Sequence, residues 1–266
     1  MEWKKVRTWL ILLVLAADLV LAGNIGWQLY QMRRSELRAV QDALTLAEQA
    51  GILLREEQLR QLPRQPEAYQ VTRDGELEGL AAQALLDAAQ ALEPGGGVAI
   101  YQSEKGQLSF RRGGAVELSM VWTEENLTPE SCRALLEQAG FPMEQAALSG
   151  DEDSITLTQQ YLGAYLYNCR LQCTRQEGQL QVRGRWLMSG ERGAETEHET
   201  LSRAQLVLAL CSLLEQRGVT EVQSLEAGYY LQSEDPQTAL LVPVWAVETP
   251  QGRVIMSCLD GTELNY

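Results

Sequence analysis

Residues 9–23 read "WLILLVLAADLVLAG", an apolar run with one aspartate, Asp18, near its centre. Between residues 8 and 30 the other strongly polar residues are Asn24 and Gln28, and this length is about what a helix needs to cross a bilayer. Asp18 costs about 2.5–3.5 kcal/mol inside an inserted helix, whereas Leu, Ile and Val each contribute about −0.3 to −0.6 kcal/mol. Eleven such residues lie between positions 10 and 29. The sequence therefore predicts a transmembrane helix over 8–30.

The flanks of this segment fit a retained anchor. Basic residues stand on both sides, and four aromatic residues lie near its ends, where amphipathic rings favour the membrane interface: Trp3, Trp9, Trp27 and Tyr30. A short tail, 1–7, is expected in the cytoplasm, with the bulk of the chain outside the cell membrane. The alternative is a cleaved signal peptide, because "VLA" before Gly23 satisfies the small-residue rule. The anchor is favoured because Asp18 would interrupt the apolar core of a signal, and because a helical pattern continues past residue 30.

A helix places Asp18, Ala22 and Gly26 on one face, since they recur every four residues. Small residues let a second helix approach closely, and a polar side chain at such a contact can hydrogen-bond across it. This spacing predicts a partner-helix interface within the membrane. The alternative is an interrupted anchor that tolerates a neutral aspartic acid.

The charge of the chain limits its partners. The net charge is −14, and without residues 1–30, which hold three basic and two acidic residues, it is −15. A chain this acidic is expected to repel phosphate backbones, so nucleic-acid binding and tight docking on anionic lipid are both disfavoured. Nearly all of the basic residues are Arg, and Lys105 is the single Lys after the N-terminus.

The five cysteines form no CxxC pair, so neither a zinc site nor a redox motif is expected. Cys169 and Cys173 lie in "AYLYNCRLQC", where Tyr165, Tyr167, Cys169, Leu171 and Cys173 alternate with polar residues as one face of a strand. Four residues along a strand span roughly 13 Å, which is too far for a disulfide. We expect both to be small core side chains.

Catalytic motifs are also missing from the sequence. His198 is the single histidine and lies in the polar stretch "GERGAETEHET", so we expect it to be solvated. No HExxH, GxSxG, P-loop or Rossmann fingerprint occurs. The expectation is a protein that is not an enzyme, with no catalytic, cofactor or metal site.

A short pattern recurs along the chain: "LAEQAG" ends at Gly51, "LLEQAG" at Gly140 and "LLEQRG" at Gly218. In each case an apolar-periodic helix ends at a glycine, the usual residue after a helix C-cap, and extended sequence follows. The last two copies agree further into their strands, which suggests a repeated unit, although amphipathic helices also resemble one another by chance. Thr128 before Pro129, and Ser202 with Gln205, predict the starts of two helices.

A further helix is predicted from about Glu76 to Leu92, closed by "EPGGG", in which the glycines of 95–97 form a turn. Strands are predicted at 68–72, 97–102, 107–111, 115–122, 154–160, 164–174, 179–187, 226–232, 240–248 and 252–259. The fold class is therefore α+β. The predicted divisions are a tail 1–7, a transmembrane helix 8–30, a juxtamembrane helical segment 31–62, and three α+β units at 63–125, 126–200 and 201–266.

The end of the chain, "GYYLQSEDPQTALLVPVWAVETPQGRVIMSCLDGTEL", resembles the last hairpin of the YycH/YycI family, which itself looks like PepSY-type modules. The opening "MEWKKVRTWLILLVLAADLVL" is similar to the start of YycI proteins, with Asp18 where that family is expected to carry Asn. "GILLREEQLRQLP" and "ITLTQQYLGAYLYNCRL" also look like it, so the likeness covers most of the chain. The ending "CLDG" departs from the family's usual aromatic residue and "TG", so the resemblance does not assign a subfamily.

This resemblance implies an exported region of two to three PepSY-like helix-plus-sheet units and a Gram-positive accessory membrane protein. Its partners would be a YycH-like protein and a cell-wall sensor histidine kinase of the WalK/YycG type, contacted through the transmembrane helix, with no catalytic residue. The alternative function is an exported PepSY-like binding or protease-inhibitor module.

Overall fold

The structure is a computed structural model that describes residues 3–63, 67–123, 126–143, 146–150, 154–189, 193–233 and 235–265. Its α-helices are α1 (Trp3–Gln49), α2 (Glu56–Arg60), α3 (Gly75–Leu86), α4 (Pro129–Gln138) and α5 (Arg203–Gln216). Its strands are β1 (Tyr69–Thr72), β2 (Gln90–Gly95), β3 (Val98–Ser103), β4 (Gly106–Arg111), β5 (Ala115–Val121), β6 (Ala147–Gly150), β7 (Ser154–Tyr161), β8 (Ala164–Gln176), β9 (Gln179–Arg185), β10 (Ala194–Glu195), β11 (Ser224–Ser233), β12 (Thr238–Thr249), β13 (Gly252–Ser257) and β14 (Glu263–Leu264).

The chain forms two compact units. We call Met1–Leu54 with Ser202–Thr220 the helical unit, and Arg55–Leu201 with Glu221–Tyr266 the sheet unit. One long apolar N-terminal helix and a large sheet confirm the predicted α+β class. The sequence-based division into 1–7, 8–30, 31–62 and three later units stays a prediction, and its boundary at 125/126 touches a residue outside the described ranges.

In the helical unit, α1 is a single helix of 47 residues that packs against α5. Val40, Ala43 and Ala47 are buried near its C-terminal end, at the i, i+3, i+7 spacing of one helix face. The chain leaves α1 through Gly51, whose φ of 77° is the left-handed conformation that ends many helices. Ser202 and Gln205 form the predicted capping box at the start of α5.

Within the described residues, α1 is the one helix that is long and apolar enough, by length and composition, to cross a membrane. The apolar residues between Leu13 and Gln28 whose side chains are described are exposed, and the Trp27 and Tyr30 rings pack together with centroids 6.0 Å apart. An exposed apolar surface of this length is stable in hydrocarbon and costly in water.

All strands of the sheet unit belong to one hydrogen-bonded sheet. One half contains β2–β9 and the other contains β1 and β10–β14. The neighbouring strands within each half pair antiparallel, and the halves meet where β8 and β11 pair in parallel, through Gly228 with Tyr165 and Tyr229 with Leu166. A Cβ at Gly228 would lie 2.4 Å from Tyr167 Cε2, so the junction needs a residue without a side chain.

Helices α3 and α4 cover one face of the first half-sheet. Ala81 and Leu85 of α3 and Cys132 and Leu136 of α4 share a buried cluster with alternate residues of the strands, including Leu108, Leu118, Val182, Leu171 and Ile155. Asp74 caps α3 by accepting from the Glu76 and Leu77 backbone N–H groups. Thr128 caps α4 with Pro129 in its first turn, as predicted.

The ten predicted strands are confirmed to within two residues at each end, but the helix predicted from Glu76 to Leu92 is wrong at its C-terminal end. It stops at Leu86, and Asp87 takes a positive φ of 49°. Residues Gln90–Gly95 form β2 because their backbone groups pair with β3. The glycine run at 95–97, all with positive φ, makes the predicted turn between these strands.

The single face predicted for Tyr165, Tyr167, Cys169, Leu171 and Cys173 is wrong. Tyr165 and Tyr167 pack in one cluster, Cys169 packs with Leu166 in another, and the last two residues pack under α3 and α4. The cause is a register shift in the β7–β8 pairing between Thr158 and Gln160. A shift of this kind reverses the alternation of inward and outward side chains.

Two side-chain amides replace backbone pairing where ladders end. Gln159, 4% exposed, donates to Leu187 O at 3.0 Å and accepts from Leu187 N at 2.8 Å. Asn168 does the same with Leu231, at 2.8 Å in both directions. Each amide thereby forms a hydrogen bond with the N–H and with the C=O of one backbone residue.

Candidate functional site

The residues predicted as a partner-helix interface all lie on α1. Asp18, Ala22 and Gly26 are exposed, and a Cβ at Gly26 would have open space around it. Because α1 is regular across 18–26, the three residues share one face at about one turn apart. The structure therefore brings together the residues that the spacing predicts, as a strip along one side of the helix.

This strip lies on the same side of α1 as the buried residues of its other end. Ala22 and Val40 are about five full turns apart at 3.6 residues per turn, and Asp18 and Ala47 are about eight turns apart. A helix bound to the strip would therefore approach α1 from the side that α5 occupies further along. Sequence reasoning missed Val40, Ala43 and Ala47 as an interface, although their i, i+3, i+7 apolar spacing was a readable signal.

The titratable residues of the described chain offer little chemistry. His198 is exposed, as expected, and its Nδ1 lies 3.0 Å from Thr196 Oγ1. Among the described residues, no group of three or more His, Cys, Asp or Glu side chains could hold a metal ion.

All five cysteines are buried free thiols: Cys132, Cys169, Cys173, Cys211 and Cys258. This confirms the core positions predicted for Cys169 and Cys173. Burial raises the pKa of Cys169 to about 12, and it also raises the pKa of Cys258. A thiol whose pKa is raised in this way is protonated at neutral pH and is a poor nucleophile. Cys169 and Cys258 therefore act as packing groups.

A buried ion pair stands at the start of α3. Arg73 binds Glu78 through two nitrogens, one of them 2.7 Å from Oε2, and it also donates to Gly97 O. Glu78 is 2% exposed, and its desolvation raises the pKa of the carboxyl, while the hydrogen bond and charge of Arg73 lower it. The pair joins β1, α3 and the β2–β3 turn. Sequence reasoning missed it because both residues lie in stretches that resemble solvated surface.

Beside this pair is a cleft of about 860 Å³, lined by Gln70, Thr72, Arg73, Asp74, Gly75, Glu76, Ser189, Gly193, Ala194 and Thr238. Asp74 is already engaged as the helix cap, and Arg73 is held by Glu78. The charged groups of Asp74 and Arg73 thus serve the fold around the cleft.

No protein-family model and no curated protein matches this chain. One matching solved structure is an uncharacterized protein from Eubacterium rectale ATCC 33656, at 12% identity and a TM-score of 0.41, covering 77% of this chain and 86% of that one. Another is YycH from Bacillus subtilis, at 14% identity and a TM-score of 0.43, covering 72% of this chain and 53% of YycH. The second alignment thus spans about half the length of YycH.

Proposed function

We propose that this chain is a membrane-anchored accessory regulator of a cell-wall sensor histidine kinase of the WalK/YycG type, acting together with a YycH-like protein. In this proposal α1 crosses the cell membrane once, with its N-terminus in the cytoplasm and the sheet unit outside. The strip of Asp18, Ala22 and Gly26 binds a helix of the kinase, and the protein catalyses no reaction. The sequence resemblance to the YycH/YycI family motivates the choice of partner.

The observation that carries the proposal is the single α1 helix, which joins the strip to a buried packing face with no break. In hydrocarbon, the hydrophobic effect does not drive helices together, because lipid tails are as apolar as the side chains. Small residues that allow close packing, and a carboxyl that hydrogen-bonds across the contact, therefore select the partner helix. A contact of this kind shifts the kinase between its conformations only by the difference in affinity for them.

Replacing Asp18 by Leu in the full-length chain tests this contact. The variant removes the polar group while it lengthens the apolar segment, so insertion is preserved and the helix contact is lost. We expect Asp18→Leu to co-purify with the kinase from detergent-solubilised membranes at least several-fold less than wild type. Co-purification equal to wild type would contradict the proposal.

Two matched variants locate the effect. Asp18→Asn keeps a hydrogen-bonding group at the same position and should retain association. A double variant, Asp18→Leu with Val20→Asp, keeps the carboxyl but turns it roughly 160° around the helix at 100° per residue, and association should stay low.

Sequencing the N-terminus of the mature protein separates anchor from signal, because a chain that begins at Gly23 would favour the exported binding module instead.

A further inference from the structure

The first half-sheet has one covered and one open face. Helices α3 and α4 pack on the side that carries Leu108, Leu118 and Val182. Side chains on the other side alternate with these buried residues along each strand and are mostly polar. One row across this face runs through Ile100, Ser109, Glu117, Arg183, Gln172 and Thr156, each directly opposite the next in the strand register. Ser109 is buried, and the other five are partly or fully exposed.

Several arginines stand together on the open face. Arg183 and Arg185 are two residues apart on β9, which places their Cα atoms about 6.6 Å from each other. Ala115 of β5 pairs with both Arg185 and Arg111, so Arg111 lies two strands away, at roughly 10 Å. All three are exposed.

Two more arginines extend this group toward the second half-sheet. Leu171 of β8 pairs with Gly184 of β9 at the end of the β8–β9 ladder. Arg170, which precedes Leu171 and pairs with Thr158 on its other side, therefore lies beside Arg185. The guanidinium of Arg253 stacks over the Tyr167 ring at 5.5 Å from its centroid. Desolvation lowers the pKa of Arg170, and the nearby charge of Arg253 lowers it further. We call Arg111, Arg170, Arg183, Arg185 and Arg253 the arginine face.

Acidic groups next to the arginine face are fewer. Glu117 binds Arg111 at 3.1 Å, Glu248 pairs with Arg253, and Glu226 accepts from Tyr167 Oη at 3.2 Å. Among the residues that the structure describes, five arginines therefore face three glutamates, in a chain whose 36 acidic residues outnumber its 22 basic ones. Within the described part of the chain, no ion pair forms at Arg183 or Arg185, which stay available to an outside anion.

We propose that the arginine face binds a linear phosphodiester polymer. The charge complementarity comes from a local excess of guanidinium groups on an otherwise acidic molecule. Guanidinium binds a phosphate through two parallel hydrogen bonds, which a Lys ammonium cannot do. The arginines repeat at about 6–10 Å along and across the strands, so successive phosphates of one flexible chain can each meet one. The acidic remainder repels the polymer elsewhere and confines it to this face.

Binding of synthetic poly(glycerol phosphate) to the full-length chain in phosphatidylcholine nanodiscs tests this assignment. We expect measurable binding at low salt that weakens as salt is raised, because bound phosphates release counterions. In the double variant Arg183→Gln with Arg185→Gln, the dissociation constant should rise by about tenfold, since two charge-assisted contacts are lost. Both side chains are exposed, so the thermal unfolding midpoint of this variant should match wild type.

The matched control is Arg55→Gln with Arg60→Gln, which removes the same charge from two exposed arginines that do not belong to the arginine face. Its affinity should stay within about twofold of wild type, and equal loss in both double variants would overturn the proposal by showing a diffuse charge effect. Poly-L-glutamate of similar charge is the competing probe, and equal or tighter binding of it would point to an acidic protein and overturn the choice of phosphodiester. No binding of poly(glycerol phosphate) at low salt would overturn it outright. None of these outcomes depends on the kinase contact of α1.

Discussion

At the scale of single residues, the ion pair of Arg73 and Glu78 shows how burial sets the value of a charge. Desolvation opposes ionisation of the Glu78 carboxyl, whereas the hydrogen bonds from Arg73 favour it. A pair of this kind contributes little net stability when intact, but removing one partner leaves the other charge buried and uncompensated.

Arg73→Met should lower the free energy of unfolding by about 3–5 kcal/mol at neutral pH. The loss should depend on pH with a defined sign. A carboxyl whose folded pKa is raised keeps its proton where the unfolded chain has lost it, so stability falls as pH rises from about 4.5 toward the folded pKa. Without Arg73 this fall is larger, and the gap between variant and wild type should widen with rising pH.

Urea denaturation at a series of pH values measures this gap. Arg111→Met is the matched control, because both side chains of the Arg111–Glu117 ion pair are about half exposed. This substitution should change the free energy of unfolding by less than about 1 kcal/mol at any pH. A gap for Arg73→Met that stays constant or narrows toward high pH would show that Glu78 carries no buried charge.

The residues that sequence reasoning identified correctly are those whose role is local. Thr128 and Ser202 cap helices through backbone groups within three residues, and Gly140 follows a helix at a positive φ of 80°. Arg73 and Glu78 could not be identified in this way, because their burial depends on the β2–β3 turn, which lies about twenty residues further along the chain.

At the scale of elements, α1 and α5 form a helix pair that rests on small side chains. Ala43 is 2% exposed on the packed side of α1, so a larger side chain there would have to displace its neighbours. Ala43→Leu should destabilise the helical unit by about 1–3 kcal/mol through overpacking, even though Leu is nearly as good a helix former as Ala.

Hydrogen exchange read separately for α5 and for β12 measures this effect, since α5 should exchange faster and β12 should change less. Gln41→Leu, at an exposed position of the same helix, is the control and should leave α5 unchanged. Unaltered protection of α5 in Ala43→Leu would mean that the pair is held together by other residues.

The boundary of α3 marks where element prediction fails. The stretch "AAQALLDAAQAL" is rich in good helix formers, so local propensity continues a helix to Leu92. In the structure, residues from Gln90 onward exchange intrahelical bonds for pairing with β3. Tertiary hydrogen bonds outweigh a propensity difference of a few tenths of a kcal/mol per residue.

At the scale of the whole molecule, the sheet unit depends on a narrow junction between its halves. The ladder of β8 and β11 has two residue pairs, and the Asn168 amide extends it by binding both backbone groups of Leu231. The rings of Tyr69, Tyr161 and Tyr229 pack edge to face beside it, with centroids 5.8–5.9 Å apart.

Asn168→Ala should cost roughly 2–4 kcal/mol, because two partly buried backbone groups of Leu231 lose their partner. Urea denaturation followed by fluorescence measures the loss. Gln172→Ala is the control, since its amide is exposed and donates to Ser154 Oγ, and it should cost less than about 0.5 kcal/mol. A cost for Asn168→Ala no larger than for this control would mean that the tyrosine cluster alone holds the halves together.

The strands of both halves were predictable because alternation and turn residues are local signals. Their order in one sheet was not, since the parallel contact of Gly228 with Tyr165 joins residues more than sixty positions apart. Of the candidate site, the face shared by Asp18, Ala22 and Gly26 was predictable from helical spacing alone. Its alignment with Ala47 required knowing that no break interrupts α1.

Because α1 is unbroken, it forms one helix about 70 Å long, at 1.5 Å per residue. A rotation of α1 at Asp18 is therefore transmitted along the whole helix to the residues that pack against α5. Deleting one residue between Asp18 and Val40 would rotate the two contact faces relative to each other by about 100°. The Asp18 carboxyl would then no longer lie on the side of α1 that α5 occupies.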